Sequence, residues 1–133
     1  EEKIVVIRQF RVPINSYIYE MPAGLIDKGE NPLISLTREL KEETGLDVIE
    51  ILENTVKGQL FLSPGMTDES VTSVFCTCGG TISKAYMEED EDIEPILLSQ
   101  KEAQELLIKD VKFDIKCYIY LQEFSKSGNK MFK

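Results

Sequence analysis

The sequence predicts an α/β or α+β fold in which helices pack on a mixed β-sheet. Three observations point to it: segments typical of strands and helices follow one another, no repeat or interdomain linker interrupts them, and the 133 residues are 42% hydrophobic and 29% charged. A chain of this length can bury a hydrophobic core. Residues 1–133 are therefore expected to form a single domain.

Two strands are expected near the start of the chain. Lys3–Phe10 is rich in β-branched and apolar residues, as in a buried strand, and Asn15–Met21 carries tyrosine at alternate positions. Pro22–Glu30 contains a proline and two glycines and is therefore predicted to be a structured loop. Since the chain opens directly on a strand, we expect an upstream portion of the protein to be missing from it.

The next segment has helix signals at both ends. Asn31 is a preferred N-cap residue, Pro32 suits the first helical position, and Gly45 is typical just after a helix C-terminus. The helix is therefore predicted to span residues 31–44. At about 100° per residue, one side of it is expected to pack on the sheet. That side consists of Leu33, Leu36, Thr37, Leu40 and Thr44.

The second half of the chain predicts two strands and two helices. Val71–Cys78 and Glu94–Ser99 are apolar enough for strands, and Ser99–Asp110 is an amphipathic segment for which Ser99 is the expected N-cap. Lys112–Phe124 alternates only in part and is interpreted as a helix. The polar tail that follows is expected to fray.

Charge and composition exclude several functional classes. The net charge of −9 disfavours nucleic acid as a partner, because a polyanion would be repelled. No apolar run approaches the roughly 18 residues of a membrane span, and the first residues lack the basic segment of a secretory leader. The chain has no histidine, which rules out Ser-His nucleophiles and histidine-bound zinc, and no P-loop or Rossmann glycine motif. Catalysis would therefore depend on carboxylates, Lys, Arg, Tyr and bound metal.

The three cysteines are interpreted as structural. Their odd number and the lack of metal-ligand spacing are typical of a reducing compartment, so a cytoplasmic protein is expected. Cys76 and Cys78 are predicted to face the same side of a strand, and Cys117 to lie on the last helix.

The predicted first helix carries three carboxylates, Glu39, Glu42 and Glu43, next to Arg38. Like charges at i and i+4 destabilise a helix by roughly 0.2–0.5 kcal/mol per pair, and partial burial increases the repulsion. A hard divalent cation such as Mg²⁺ or Mn²⁺ reverses this effect, because it prefers carboxylate oxygen ligands. The alternative is a solvated acidic face on which Arg38 and Lys41 pair with the glutamates.

The residues from Gly24 to Leu46 match a longer pattern, G-x5-E-x7-R-E-U-x-E-E-x-G-U, in which U is aliphatic. The chain resembles the Nudix hydrolases, whose signature this is. The resemblance implies an α/β/α sandwich in which the signature forms a catalytic loop-helix-loop. Every specified position is filled: Gly24, Glu30, Arg38, Glu39, Leu40, Glu42, Glu43, Gly45 and Leu46.

The resemblance also implies roles for these residues. Glu39, Glu42 and Glu43 would be catalytic metal ligands, foremost Glu43 and Glu39, with the carbonyl of Ala23 as a backbone ligand. Arg38 would orient the carboxylates, and Glu30 would be an outlying acid. The implied cofactor is Mg²⁺, with Mn²⁺ as an alternative.

The flanking residues resemble the ADP-ribose pyrophosphatase branch of the family. The stretches R-Q-F-R-V-P, which contains Arg11, and E-M-P-A-G, which begins at Glu20, match that branch, and S-P-G contains Pro64 and Gly65. The resemblance implies that these four residues bind substrate, Arg11 through its phosphates. Pro64 lies 18 residues after Leu46, two residues beyond the usual place of the branch's proline. Without the resemblance, S-P-G is simply a tight turn and Arg11 a surface arginine.

An acidic segment, Glu88–Glu94, holds six acids in seven residues. Composition alone favours a solvated loop, and a Ca²⁺-binding EF-hand is excluded because Pro95 stands where that loop requires glycine. The branch has a mobile loop with a catalytic glutamate before an E-D-I strand start. Aligned on that start, Glu89 is the first candidate for the general base and Glu91 the second.

The function implied is Mg²⁺-dependent hydrolysis of ADP-ribose to AMP and ribose 5-phosphate. Two alternatives within the enzyme class are another nucleotide sugar and an oxidised nucleoside triphosphate. A third, from a different class, is a non-catalytic nucleotide-binding sensor, in which a signature glutamate is expected to be lost; none is lost here. The expected partners are a small nucleotide and, as the resemblance implies, a second copy of the chain. Family members usually use further N-terminal strands for dimerisation and adenine binding, and because we expect those strands to be missing from this chain, the dimer rests on the resemblance alone.

Overall fold

The computed structural model describes residues 1–25 and 29–133. A short 3₁₀ turn, Val12–Ile14, joins the first two strands. In chain order the elements are β1 (Lys3–Arg11), β2 (Ser16–Glu20), α1 (Pro32–Thr44), β3 (Asp47–Ile51), β4 (Leu60–Phe61), β5 (Ser70–Val71), β6 (Cys76–Gly79), β7 (Ile93–Ser99), α2 (Gln100–Leu107) and α3 (Ile115–Ser127).

The largest sheet has the strand order β2-β1-β7, with antiparallel neighbours. The central strand β1 is the apolar segment near the start of the chain, and its Val6 and Ile7 are almost completely buried. Ile7 lies opposite Glu20 on one side and Pro95 on the other. Proline cannot donate to a ladder, so its place in β7, at the edge of this described sheet, is the favourable one.

The remaining described strands form two small antiparallel pairs, β3 with β6 and β4 with β5. The predicted strand Val71–Cys78 is therefore wrong in its middle, since residues 72–75 lie between β5 and β6. At Phe75 a side chain takes part in the backbone pairing: Thr55 Oγ1 accepts from the Phe75 N–H at 2.9 Å, and the Phe75 carbonyl accepts from both Thr55 Oγ1 at 3.1 Å and the Leu52 N–H at 2.8 Å. Cys76 and Cys78 do face the same side, with their sulfurs 3.7 Å apart.

The helices α2 and α3 pack together against β1 and β7. The N-cap predicted at Ser99 is confirmed, and it forms a capping box. Ser99 Oγ accepts from the Glu102 N–H, and the Ser99 N–H donates to the Glu102 carboxylate. The helix expected at residues 112–124 starts at Ile115, since Asp114 caps it by accepting from two backbone N–H groups. The buried core here consists of Val6, Leu98, Ala103, Leu106, Cys117, Leu121, Phe124 and Phe132.

The signature helix α1 begins and ends as predicted. Asn31 accepts from the Ile34 N–H, and Gly45 adopts a left-handed conformation at the C-terminus. Its buried face, however, is turned from the predicted one. Leu33 is 50% exposed, and Thr37 is exposed as well. Leu40 and Thr44 of the predicted side are buried, and they are joined by two polar residues outside it, Ser35 and Glu43.

The turned face follows from the loop before α1. Ser35 donates to the Leu25 carbonyl, and Glu43 accepts from the backbone of Ala23, so this loop covers the side of the helix that carries polar residues. The pattern of apolar side chains predicts a face that overlaps with the buried one at Leu40 and Thr44, but it cannot show that a loop covers Ser35 and Glu43. The α+β combination of helices and sheets is confirmed, and no helix among the described residues is long and apolar enough to cross a membrane.

Candidate active site

Glu43 is the most deeply buried acid of the signature helix, with 5% of its surface exposed. Its Oε1 accepts one hydrogen bond, from the Ala23 N–H at 3.0 Å. The pKa of Glu43 is raised to about 8: burial is the main cause, the hydrogen bond from Ala23 opposes it, and the negative charges of Glu39, Glu91 and Glu20 add to it. The site therefore holds a buried carboxylate whose ionised form a bound cation would stabilise.

Arg38 is the cationic centre of the remaining acids. Its guanidinium forms a two-point ion pair with Glu30, with both N–O distances at 2.9 Å, and donates to the Leu25 carbonyl at 3.2 Å. Its Nη1 also lies 2.7 Å from Glu39 Oε1 and 3.5 Å from Glu42 Oε2. The planar guanidinium has five N–H donors and can therefore contact several carboxylates and a carbonyl at once, which the single ammonium group of a lysine cannot do in the same geometry. Arg38 thus touches three of the four signature glutamates.

Glu39 lies against the loop at Gly24. A Cβ added to Gly24 would overlap the side-chain carboxyl carbon of Glu39, so only glycine allows the carboxylate to lie here. Burial raises the pKa of Glu39, and its hydrogen bond to Arg38 opposes that rise. The first glycine of the signature is therefore required because of the close approach of a site carboxylate.

The residues just before the acidic segment are attached to the C-terminal end of α1. The Ser83 N–H donates to the Thr44 carbonyl at 2.9 Å, and a Cβ at Gly45 would come 2.7 Å from Ser83, so the helix-ending glycine is also a packing position. The Lys41 ammonium lies 4.5 Å from the centre of the Tyr86 ring. These contacts bring the segment after β6 onto the signature helix.

Of the two candidate bases, the structure brings Glu91 toward the glutamates. Glu91 is half-buried and accepts from the Glu88 N–H at 2.9 Å, and after burial its charge is among the causes that raise the pKa values of Glu39 and Glu43. Glu89, the first candidate by sequence, is exposed. Glu91 is therefore the candidate whose charge reaches these glutamates, and the identity of the general base stays a prediction.

Arg11 and Glu20 pair with each other. Arg11 Nε and Nη2 donate to the two carboxylate oxygens of Glu20 at 2.7 and 2.9 Å, and Gln9 donates to the same carboxylate at 3.3 Å. The hydrogen bond to Glu20 is the main cause that raises the pKa of Arg11, and the charge of Glu43 adds to it. The two predicted substrate residues are therefore paired with each other, and the charge of Glu43 reaches Arg11.

Pro64 and Gly65 lie in the turn between β4 and β5 and are exposed. The turn is closed by the N–H groups of Met66 and Thr67, which donate to the Ser63 carbonyl at 2.9 and 3.0 Å. These contacts are what a tight turn requires, and a role in substrate binding stays a prediction. Residues 26–28 of the predicted signature loop lie outside the described residues.

The carboxylates fit a hard divalent cation by their chemistry. Glu39, Glu42 and Glu43 offer oxygen ligands of the kind that Mg²⁺ and Mn²⁺ prefer, and the cost of burying Glu43 in ionised form falls when a cation is close. Within residues 1–25 and 29–133, no group of three or more acidic or cysteine side chains is arranged so that it could hold a metal ion. In this arrangement Arg38 pairs with carboxylate oxygens of Glu39 and Glu42, so metal binding by these glutamates stays a prediction.

The raised pKa of Glu43 has a consequence for stability. Between the ordinary value of 4.5 and about 8, the folded protein holds a proton on Glu43 that the unfolded chain has released. The free energy of unfolding in the presence of a chelator should therefore fall as pH rises through this window, by an amount on the order of a few kcal/mol.

Urea unfolding at pH 5 and pH 8.5, with EDTA present, measures this dependence. Glu43→Gln, which resembles the protonated acid, should have a clearly smaller difference between the two pH values. Equal pH dependence in the two proteins would show that Glu43 does not titrate abnormally.

Two contacts across the acidic segment were missed by sequence reasoning: the Ser83–Thr44 hydrogen bond and a hydrogen bond from Tyr17 to Asp92. No local pattern signals either, because the partners are separated by dozens of residues. The alternation of tyrosines in β2 identifies Tyr17 as a strand residue and nothing more.

Comparison with known proteins gives three findings. Residues 1–121 match the family model described as "NUDIX domain". The chain is 33% identical over 124 residues to a protein named ADP-ribose pyrophosphatase from Bacillus subtilis (strain 168), and 36% identical over 126 residues to a methanol dehydrogenase activator from Bacillus methanolicus. In each case the match covers 92% of this chain and 65% of the relative, so the chain spans just under two thirds of the length of these curated relatives.

A solved structure, described as "Crystal structure of ADP compounds hydrolase", superposes with a TM-score of 0.72. The superposition covers 98% of this chain and 70% of that one, at 21% sequence identity. At this level of identity, the likeness supports the fold.

Proposed function

This chain belongs to the NUDIX domain family, and we propose that it hydrolyses the pyrophosphate bond of a nucleoside diphosphate derivative. ADP-ribose is the proposed substrate, with AMP and ribose 5-phosphate as products. The observation that carries the proposal is the buried carboxylate of Glu43, which lies on one helix with Glu39 and Glu42, is bonded to the loop at Ala23, and is acted on by the charge of Glu91. The similarity to a protein named ADP-ribose pyrophosphatase supports the choice of substrate.

Mg²⁺, with Mn²⁺ as an alternative, is the proposed cofactor. Glu39, Glu42 and Glu43 would hold it, together with the carbonyl of Ala23. When bound, the ion supplies positive charge against the pyrophosphate oxygens and makes water more acidic at neutral pH. Arg38 contacts Glu39 and Glu42, and these contacts orient the two carboxylates that would hold the ion.

Arg11 is proposed to bind the diphosphate. Half of its side chain is exposed, and its two donors already bind a planar anion, the carboxylate of Glu20. A phosphate offers the same two-point acceptor, so substrate can replace Glu20 without the guanidinium losing its partners. Glu20, released from Arg11, then lies beside the bound substrate, and Pro64 and Gly65 remain proposed substrate contacts.

Glu91 is proposed as the general base, with Glu89 as the second candidate. Glu91 is half-buried and close enough to Glu39 and Glu43 for their charges to interact. The chain has no histidine, so a carboxylate is the group that accepts the proton of the attacking water. A cytoplasmic enzyme that forms a homodimer is also proposed, and gel filtration at several concentrations tests the dimer.

A panel assay tests the proposed reaction. The purified protein is incubated with Mg²⁺ and, separately, with ADP-ribose, a set of nucleotide sugars and oxidised nucleoside triphosphates. We expect ADP-ribose to disappear fastest, giving AMP and ribose 5-phosphate, and EDTA to stop the reaction.

Each other outcome of the panel identifies an alternative. Preferred loss of another nucleotide sugar or of a triphosphate would overturn the choice of substrate. A nucleotide that raises the melting temperature without being consumed would favour the sensor. If EDTA leaves the rate of turnover unchanged, the proposal of a divalent metal cofactor is overturned.

A further inference from the structure

Tyr17 forms a long-range contact that the proposed reaction does not yet use. Its hydroxyl donates to Asp92 Oδ2 at 2.5 Å, although the two residues are 75 positions apart in sequence. The ring is held from two sides: the Arg8 guanidinium carbon lies 4.2 Å from the ring centre, and the Phe10 ring packs edge-on at 5.6 Å. Tyr17 is therefore oriented by its neighbours on β1 before it reaches Asp92.

The contact crosses the central strand of the largest sheet. Phe10 of β1 pairs with Tyr17 of β2, and Gln9 of β1 pairs with Ile93, the first residue of β7. Two strand spacings separate β2 from β7, roughly 10 Å. Tyrosine is long enough to span most of this distance and carries a donor at its tip, and the short Asp92 side chain covers the rest.

Asp92 lies between Glu91 and the start of β7. On its C-terminal side, Ile93 is buried and paired with β1, so the chain there has little freedom. Asp92 itself is exposed, so packing does not hold it. On the other side, Glu91 closes a short turn by donating its N–H to the Glu88 carbonyl and accepting from the Glu88 N–H. The hydrogen bond from Tyr17 therefore fixes the one residue that joins this turn to the sheet.

The residues that precede the acidic segment make separate contacts with α1. Ser83 bonds to the Thr44 carbonyl at the end of α1, and Tyr86 lies under the Lys41 ammonium. The residues just before the acidic segment are thus attached to the signature helix, and the segment itself is attached to β2 through Tyr17 and Asp92. Glu91 lies between the two attachments, on the side where its charge acts on Glu39 and Glu43.

We propose that Tyr17 is a positioning residue, whose hydrogen bond to Asp92 fixes the position of the short turn that carries the adjoining Glu91 carboxylate. The inference rests on the proposed function in one respect, namely that Glu91 acts in turnover. The hydroxyl touches neither the glutamates nor Arg11, so its effect on the reaction passes through the backbone of residues 91 and 92.

Tyr17→Phe removes the hydroxyl and keeps the ring contacts with Arg8 and Phe10. We expect kcat for ADP-ribose to fall on the order of tenfold, because a displaced base loses alignment with its proton, while KM stays within about twofold. Asp92→Ala should reproduce the loss, and Asp92→Asn, which keeps an acceptor oxygen, should recover most of the activity. Tyr118→Phe is the matched control, since that tyrosine is exposed to a similar degree and its hydroxyl accepts from Gln122 on α3.

Coupling to Glu91 separates positioning from general destabilisation. In a Glu91→Gln background, Tyr17→Phe should lower kcat no further, because the group it positions is already gone. If the two losses instead multiply, or if Tyr17→Phe alone has the kcat of the unmodified protein, the proposal is overturned.

Hydrogen exchange tests the same contact without any turnover. Backbone amides of residues 88–92 should exchange faster in Tyr17→Phe than in the unmodified protein or in Tyr118→Phe. Unchanged exchange rates of these amides in Tyr17→Phe would refute the proposal that Tyr17 holds residues 88–92 in place. An inactive but correctly folded unmodified protein would refute the proposed function instead, so the two failures are distinguishable.

Discussion

Glu43→Gln is expected to abolish at least about 99% of the hydrolase activity while leaving the protein folded. Removing a buried ligand of a catalytic cation costs several kcal/mol of transition-state stabilisation, and 1.36 kcal/mol corresponds to a factor of ten in rate. The fold should persist, because the side-chain oxygen of glutamine can still accept from the Ala23 N–H. Initial rates with ADP-ribose at saturating Mg²⁺, together with a thermal melt, measure both effects.

Glu105→Gln serves as the matched control, since it makes the same chemical change on the exposed side of α2. Its activity should equal that of the unmodified protein. Substantial turnover by Glu43→Gln would remove Glu43 from the metal-binding residues. An unfolded variant is excluded beforehand by the melt, and the stability of Glu43→Gln near neutral pH should be equal or higher in EDTA, because the substitution removes the cost of a buried charge.

Arg38→Lys should lower kcat by about 10- to 100-fold and raise the Mg²⁺ concentration needed for half-maximal rate. Residues that orient metal ligands typically have effects of this size. Lysine keeps the positive charge but lacks the fork that contacts Glu30, Glu39 and Glu42 together. The glutamates would then lose their fixed orientation.

A Mg²⁺ titration of the rate measures both quantities for Arg38→Lys. Lys101→Arg, the reverse exchange at an exposed site on α2, is the control and should behave as the unmodified protein. An unchanged titration in Arg38→Lys would mean that charge alone suffices at this position. Arg38→Ala, which removes the charge as well, should lose more activity than Arg38→Lys.

The sequence by itself determined the features that depend on neighbours along the chain. The start and end of α1 follow from Asn31, Pro32 and Gly45, and the start of α2 follows from Ser99, because caps are local hydrogen bonds. The signature pattern identified the family, which the match to residues 1–121 confirms. Glu39, Glu42 and Glu43 lie close together on α1 for the same reason, since they are about one helical turn apart or closer, whereas Glu30 precedes the helix and is linked to Glu39 through Arg38.

Only the tertiary structure decided which side of α1 is buried, which acid of the loop lies near the site, and what Tyr17 does. Each depends on a contact between residues far apart in sequence: Ala23 with Glu43, Ser83 with Thr44, and Tyr17 with Asp92. Hydrophobic periodicity reports how apolar a side chain is and cannot report which loop will cover a polar one. Glu43 is the clearest case: the signature implied its role, whereas its burial, its raised pKa and its hydrogen bond with Ala23 are features of the folded chain alone.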